Sequence, residues 1–284
     1  MSEKAIYMPK GKAGEYAKYA CNFYVGCSND CDYCYCKRGV LGHAMGAPQA
    51  TLKKCFKDYM HATDVFRKEC DENIEELRKH GLFFTFTSDR CLKDTWFLTW
   101  TSVDYAVSKG VPCMILTKRA DIDKIPPQWL RPEYQRLIAF GFTLTGHDEL
   151  EPGASTNVDR IMKMKDLHEL GFKTFASIEP IITLSESRDM IYLTRGACDL
   201  YKIGLLSGHR DYTPVQVEDF MRDVNHLVSS VFFEFGMKSR IYWKESVFEF
   251  IKKGRSELYF PDGDKVLVGA DYNMFSAATS DERS

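Results

Sequence analysis

The sequence predicts an α/β protein built as a full or partial (β/α) TIM-like barrel, and three observations carry that expectation. Short apolar runs begin near residues 19, 82, 111, 137, 172, 199 and 240, with helical patterns between them. Strands that alternate with helices form right-handed βαβ units and a parallel sheet. No Gly-x-Gly-x-x-Gly opens a helix, which counts against an open doubly wound nucleotide-binding sheet. The length, 284 residues, suits one barrel domain, expected over 1–275 with terminal extensions.

The elements follow in order. Tyr19 to Val25 (YACNFYV) reads as the first strand. The stretch DVFRKECDENIEELRKHG is an amphipathic helix that starts near Thr63 or Asp64 and stops at Gly81. LFFTFT (82–87) is a buried strand, followed by a helix through Ala106 that ends at Gly110. VPCMILT (111–117) is the next strand, and helical turns from Pro127 to Tyr134 lead to LIAFGFTLT (137–145). Asn157 is placed to cap the helix VDRIMKMKDLHEL, closed by Gly171 before FKTFASIEPI (172–181). DLYKIGLL (199–206), a helix from about Pro214 to Phe235, and RIYWKE (240–245) complete the series. SELYFPDGDKVLVG reads as a hairpin turning at Asp262-Gly263, and 276–284 as a disordered tail.

Hydrophobic residues at 44% and charged residues at 27% describe a globular chain with a substantial core. A net charge of −2 neither favours nor excludes nucleic acid. The N-terminus has no apolar signal region, and no run approaches the roughly 18–20 apolar residues of a membrane span. A reducing cytoplasm and no membrane contact are therefore expected. There, a tight cysteine cluster points to metal or catalysis rather than disulfides.

Barrels of this kind carry their active sites at the C-terminal strand ends. Those ends are Gly26–Cys36, Thr87-Ser88-Asp89, Thr117-Lys118-Arg119, Thr143–His147, Glu179-Pro180, Ser207–Arg210 and Lys244-Glu245. The first contains GCSNDCDYCYC, with Cys27, Cys31 and Cys34 spaced C-x3-C-x2-C and Cys36 just beyond. Gly26 and Ser28-Asn29-Asp30 favour a loop over a helical stripe of small core residues. Structural zinc needs four ligands, with Cys21, Cys36 or His43 as the fourth, yet paired C-x2-C modules are absent. Three thiolates suit a [4Fe–4S] cluster that leaves one iron open.

That spacing, with Tyr33 before the last cysteine, resembles the signature of the radical S-adenosylmethionine (SAM) superfamily. Further short motifs are similar, in order, to the spore photoproduct lyase-like (DNA-repair photolyase-like) group over about residues 7–182. They are YMPKGKA, Glu15-Tyr16, NFYVGC, CDYCYC, Thr87-Ser88-Asp89, Thr117-Lys118, Phe142–Thr145, LEPGAS and Glu179-Pro180-Ile181-Ile182. The resemblance implies a cluster on Cys27, Cys31 and Cys34, whose open iron chelates the amino and carboxylate groups of SAM. It implies reductive cleavage of SAM to a 5′-deoxyadenosyl radical that abstracts hydrogen from a substrate. By the same resemblance Tyr33 lies beside the adenine, Ser88 and Asp89 meet the SAM amino group, and Lys118 pairs with its carboxylate. Thr143 and Thr145 would bond the methionine or ribose moiety, and the electron would come from a flavodoxin or ferredoxin.

Two departures stand out. Phe86 occupies the position of the group's hydrogen-donor cysteine; Cys91 is the candidate substitute, against a reading as a structural thiol. Tyr35 matches the group's tyrosine in hydrogen return. Glu179 stands where the group has a small apolar residue, and a carboxylate there would orient substrate or move protons, or pair with Lys202 or Lys244. His147, His209 and Arg210 are rim candidates for an anionic substrate. A nucleic-acid lesion or modified nucleotide is the first substrate expectation and a peptide the second; a zinc-binding scaffold is the non-catalytic alternative.

Overall fold

A computed structural model describes residues 4–38, 42, 45–122, 125–208, 210–252 and 266–275. Its strands are β1 (Ile6–Tyr7), β2 (Ala20–Cys21), β3 (Tyr24–Val25), β4 (Thr51–Leu52), β5 (Leu82–Phe84), β6 (Cys113–Thr117), β7 (Ile138–Thr143), β8 (Lys173–Ile181), β9 (Leu200–Leu205) and β10 (Arg240–Trp243). Eight of them make one sheet in the order β1-β2-β5-β6-β7-β8-β9-β10. β1 runs antiparallel to β2, and every later neighbour is parallel. The barrel expectation holds in its partial form: among the described residues no pairing joins β10 back to β1, and the sheet stays open.

The first expected strand is split, for a local reason. Asn22 follows β2: its N–H still reaches Ala5 O at 3.0 Å, while its side-chain Nδ2 donates to the Tyr7 hydroxyl and Oδ1 accepts from Phe86 N at 3.2 Å. The chain then leaves the sheet, and β3 pairs with β4 in a separate hairpin. The helix expected from residue 63 or 64 begins earlier, at Tyr59, because Asp58 caps it by accepting from His61 N. It breaks at Asn73 and resumes over Ile74–His80 before Gly81. Thr156, not Asn157, caps helix Asn157–Glu169. Asn157 instead takes the Thr145 N–H on Oδ1 and donates Nδ2 to Asp148. Two short helices, Leu184–Thr194 and Glu245–Lys252, were not expected. The second begins where the last strand was thought to continue, since β10 ends at Trp243.

Side chains alternate across each strand. Outward residues such as Phe84, Ile115, Phe140, Ile178 and Ile203 pack under the helices. Inward residues form a smaller apolar floor of Ala20, Phe83, Ala139, Phe175, Leu200 and Tyr242. Above that floor the same alternation turns Ser177 and Glu179 of β8, Lys202 and Gly204 of β9, and Lys244 inward.

Residues 10–16 cross from the β1 edge to the β10 edge. Lys244 Nζ donates to Lys12 O at 3.1 Å, Lys202 Nζ to Tyr16 O at 2.6 Å, and the Tyr242 hydroxyl to Glu15 at 3.0 Å. Glu245 N adds a bond to Glu15 at 2.8 Å. This strap bridges the gap that backbone pairing leaves. No helix among the described residues is long and apolar enough to cross a membrane. The expected Asp262-Gly263 turn, the tail, His43 and His209 lie outside the described residues.

Candidate active site

A cavity of about 550 Å³ opens at the C-terminal strand ends. Cys27, Cys31, Cys34 and Cys36 line it together with Tyr33, Tyr35, Ser88, Asp89, Lys118, Thr143 and Glu179. The cysteine loop is held from below by Asp89. Its buried carboxylate accepts from Asn29 Nδ2 at 2.7 Å, Cys91 N at 2.9 Å, Thr117 Oγ1 at 2.6 Å and Lys118 N at 2.7 Å. Those four bonds fill the capacity of a carboxylate, so Asp89 braces the loop against the ends of β5 and β6.

The loop is also held from the side. Gly153 N donates to Asn29 O at 3.0 Å and Asp32 N to Leu150 O at 3.0 Å. A β-carbon on Gly153 would stand 2.0 Å from Ser28 O, so only glycine permits this approach. Next to it lies a fully buried ion pair, Arg160 Nη2 with Glu151 Oε2. Glu151 also accepts from the Tyr33 hydroxyl and lies 3.8 Å from Lys118 Nζ, while Arg160 Nη1 donates to Thr143 O at 2.6 Å. Lys118 sits over the Tyr33 ring, 5.4 Å from its centroid. Burial, with the Glu151 charge beside it, raises the Tyr33 phenol well above its usual range.

Three buried polar atoms on residues lining this end have no partner among the described residues: Ser88 Oγ, Thr85 Oγ1 and Asn29 Oδ1. Buried polar groups are nearly always satisfied, so such a concentration fits a polar ligand. Burial pushes the Cys27 thiol up to about 12 and raises Cys31. Cys34 is lowered, chiefly by the hydrogen bond from the Cys36 thiol.

The opposite wall is a prepaired polar cluster. Glu179 Oε2 accepts from the Tyr16 hydroxyl at 2.7 Å, and Lys244 Nζ lies 3.0 and 3.1 Å from its two oxygens. Tyr16 OH stands 2.6 Å from Ser177 Oγ. Lys202 is buried behind them, 5.0 Å from the Tyr16 ring centroid. Burial first, and Lys244 second, lower Lys202 to about 7. An unfolded lysine titrates near 10.4. Between those values the unfolded chain binds the extra proton, so this residue's contribution to stability rises with pH across that window. Lys202→Met is expected to flatten the rise by an amount on the order of a few kcal/mol. Urea unfolding of both proteins from pH 7 to 10 measures it, and a pH-independent difference would refute the assignment.

Not every sequence candidate reaches the cavity. Thr145 is fully buried, donates its N–H to Asn157, and does not line it. Cys91 is buried off the lining, its N–H spent on Asp89. The Tyr35 hydroxyl donates to Phe86 O, and Cys36 Sγ approaches the same oxygen at 3.9 Å. His147 bonds Glu149 and Thr183 away from the lining. Tyr16, Asn29, Ser177, Glu151 and Arg160 carried no assigned role in the sequence. For Glu151 the signal was a charge embedded in LEPGAS; for Tyr16 it was its place in the N-terminal motif.

Among the described residues no three His, Cys, Asp or Glu side chains converge closely enough to hold one metal ion.

Fold and strand-end cavity define an open, mostly parallel α/β barrel whose site sits at the C-terminal strand ends. Among solved structures the chain is similar to spore photoproduct lyase complexed with dinucleoside spore photoproduct, with a TM-score of 0.59 and 14% identity over 84% of this chain and 80% of that one. A cysteine-to-alanine mutant of spore photoproduct lyase matches with a TM-score of 0.58 and 14% identity over 80% and 77% of the two chains. The fold is therefore that of spore photoproduct lyase. No family model and no curated protein matches the sequence.

Proposed function

We propose that the chain is a radical SAM enzyme, with Cys27, Cys31 and Cys34 as cluster ligands. One observation carries the reading: three cysteines at this spacing and three unpartnered polar atoms, on Ser88, Thr85 and Asn29, face one cavity at the strand ends. When bound, the [4Fe–4S] cluster supplies the electron that splits SAM into methionine and a 5′-deoxyadenosyl radical. Ser88, Asn29 and Thr85 offer hydrogen bonds to SAM, Lys118 offers a charge to its carboxylate, and Tyr33 and Thr143 line its adenine and methionine ends. Asp89 acts through the backbone of Lys118 and the side chain of Asn29. Tyr35 and Cys36, which meet at the Phe86 carbonyl, are the candidates for returning hydrogen. Cys91 and Thr145 act only from outside the cavity.

Lys10, Lys12 and Arg38 are exposed, line the cavity and have no carboxylate within 4.0 Å among the described residues. They favour an anionic substrate, and a nucleic-acid lesion or modified nucleotide is the proposed class. All ten cysteines are free, in keeping with a cytoplasmic enzyme served by a flavodoxin or ferredoxin.

Anaerobic reconstitution followed by electron paramagnetic resonance of the reduced protein tests the reading. The expected result is a [4Fe–4S] signal whose g-values move on adding SAM; a signal indifferent to SAM, or zinc in place of iron, overturns it. In the same preparation Cys27→Ala, Cys31→Ala and Cys34→Ala are each expected to lose nearly all bound iron, while Cys36→Ala keeps it. Iron and sulfide analysis decides, and equal losses in all four variants contradict a three-thiolate site.

A further inference from the structure

The prepaired cluster opposite the cysteine loop is built to hold one carboxylate still. Glu179 leaves 21% of its side chain accessible and lines the cavity. Lys244 is itself fixed by Lys12 O at 3.1 Å and Glu15 at 3.4 Å, and Ser177 fixes the Tyr16 hydroxyl. Between β8 and β10, Gly204 makes room: a β-carbon there would lie 2.9 Å from the Glu179 carboxyl carbon and 2.8 Å from Lys244 Cδ. A carboxylate accepts about four hydrogen bonds. Tyr16 and Lys244 supply three contacts, so acceptor capacity remains toward the cavity.

We propose that Glu179 selects the substrate, accepting a hydrogen bond from an N–H or O–H of a nucleotide whose phosphate meets Lys10, Lys12 and Arg38. This rests on the radical SAM reading above, which leaves the far wall of the cavity to the substrate. Held beside an ammonium and a phenol donor, Glu179 is an acceptor only. A ligand that turns a lone pair or a methyl group toward it strips water from the carboxylate's remaining acceptor site without replacing the bond, and is rejected about ten- to hundredfold. Tyr16 and Lys244 are positioning residues for that carboxylate. Of the two buried carboxylates described at the cysteine end, Asp89 is filled and Glu151 is sealed behind Tyr33 and Arg160.

The test uses cluster-loaded, SAM-bound protein and three probes: uridine 5′-monophosphate, its N3-methyl derivative and its 2′,3′-dideoxy derivative. Calorimetry is expected to show one of the two derivatives binding at least about tenfold more weakly than the parent nucleotide. That discrimination should vanish in Glu179→Leu, where Glu15 still pairs with Lys244. It should shrink in Gly204→Ala, which keeps every group but displaces the pair. The SAM-induced g-shift should persist in both variants. Equal affinities for all three probes, discrimination that survives in both variants, or no nucleotide binding at millimolar concentration overturns the proposal. Loss of the g-shift in the unaltered protein would instead sink the enzyme reading.

Discussion

Arg160→Met is expected to destabilise the folded protein by about 3–5 kcal/mol, the usual consequence of removing one partner of a buried ion pair. Neither Arg160 nor Glu151 has any side-chain exposure. Without the guanidinium, the Glu151 charge keeps only the Tyr33 hydroxyl and Lys118 at 3.8 Å, and Thr143 O loses its donor. Methionine fills much of the volume but answers neither acceptor. A fall in the urea midpoint with an unchanged slope measures the effect. The double variant Arg160→Met/Glu151→Gln should recover part of the loss, because the unpaired charge goes with it. An unchanged midpoint in the single variant would mean that water reaches Glu151.

Gly153→Ala is expected to spoil the cysteine loop while sparing the barrel. The new methyl group would meet Ser28 O at 2.0 Å and Asn29 C at 3.0 Å, both backbone atoms that no rotamer change can move. Either residues 28–29 or 151–155 must shift, and the bond from Gly153 N to Asn29 O is strained or lost. Overpacking of this kind costs about 1–3 kcal/mol, enough to lower the competent loop conformation roughly tenfold or more. Iron uptake on reconstitution should fall accordingly, with far-UV circular dichroism unchanged. Full iron loading would show that the loop yields without moving Cys27 and Cys31 apart.

The order of the barrel was legible because each strand is a short apolar run bounded by polar residues, from Leu82–Phe84 through Arg240–Trp243. The cysteine loop was legible because thiols at fixed spacing have few structural uses. The split between Ala20–Cys21 and Tyr24–Val25 was not, since it depends on Asn22 reaching Tyr7, Phe86 and Arg90. Nor was it legible that Thr145 and Cys91 stay off the cavity, because a one-residue change in where a strand ends reverses the side to which a residue points. Glu179 was singled out by its departure from a pattern. Lys244 was among the partners expected for it, and the pair forms; Tyr16, which joins them from the N-terminal strap, was not, since local periodicity does not encode that juxtaposition.

The strap has a consequence in time. The bond between Lys12 and Lys244 spans 232 residues of sequence. At synthesis rates of about 5–20 residues per second, its N-terminal half waits roughly ten to fifty seconds on the ribosome for the strand that receives it. Cys27, Cys31 and Cys34 have emerged by then, yet one wall of their chamber does not exist. Loading of any cofactor that needs the finished chamber is thereby deferred until β10 and Lys244 have been made.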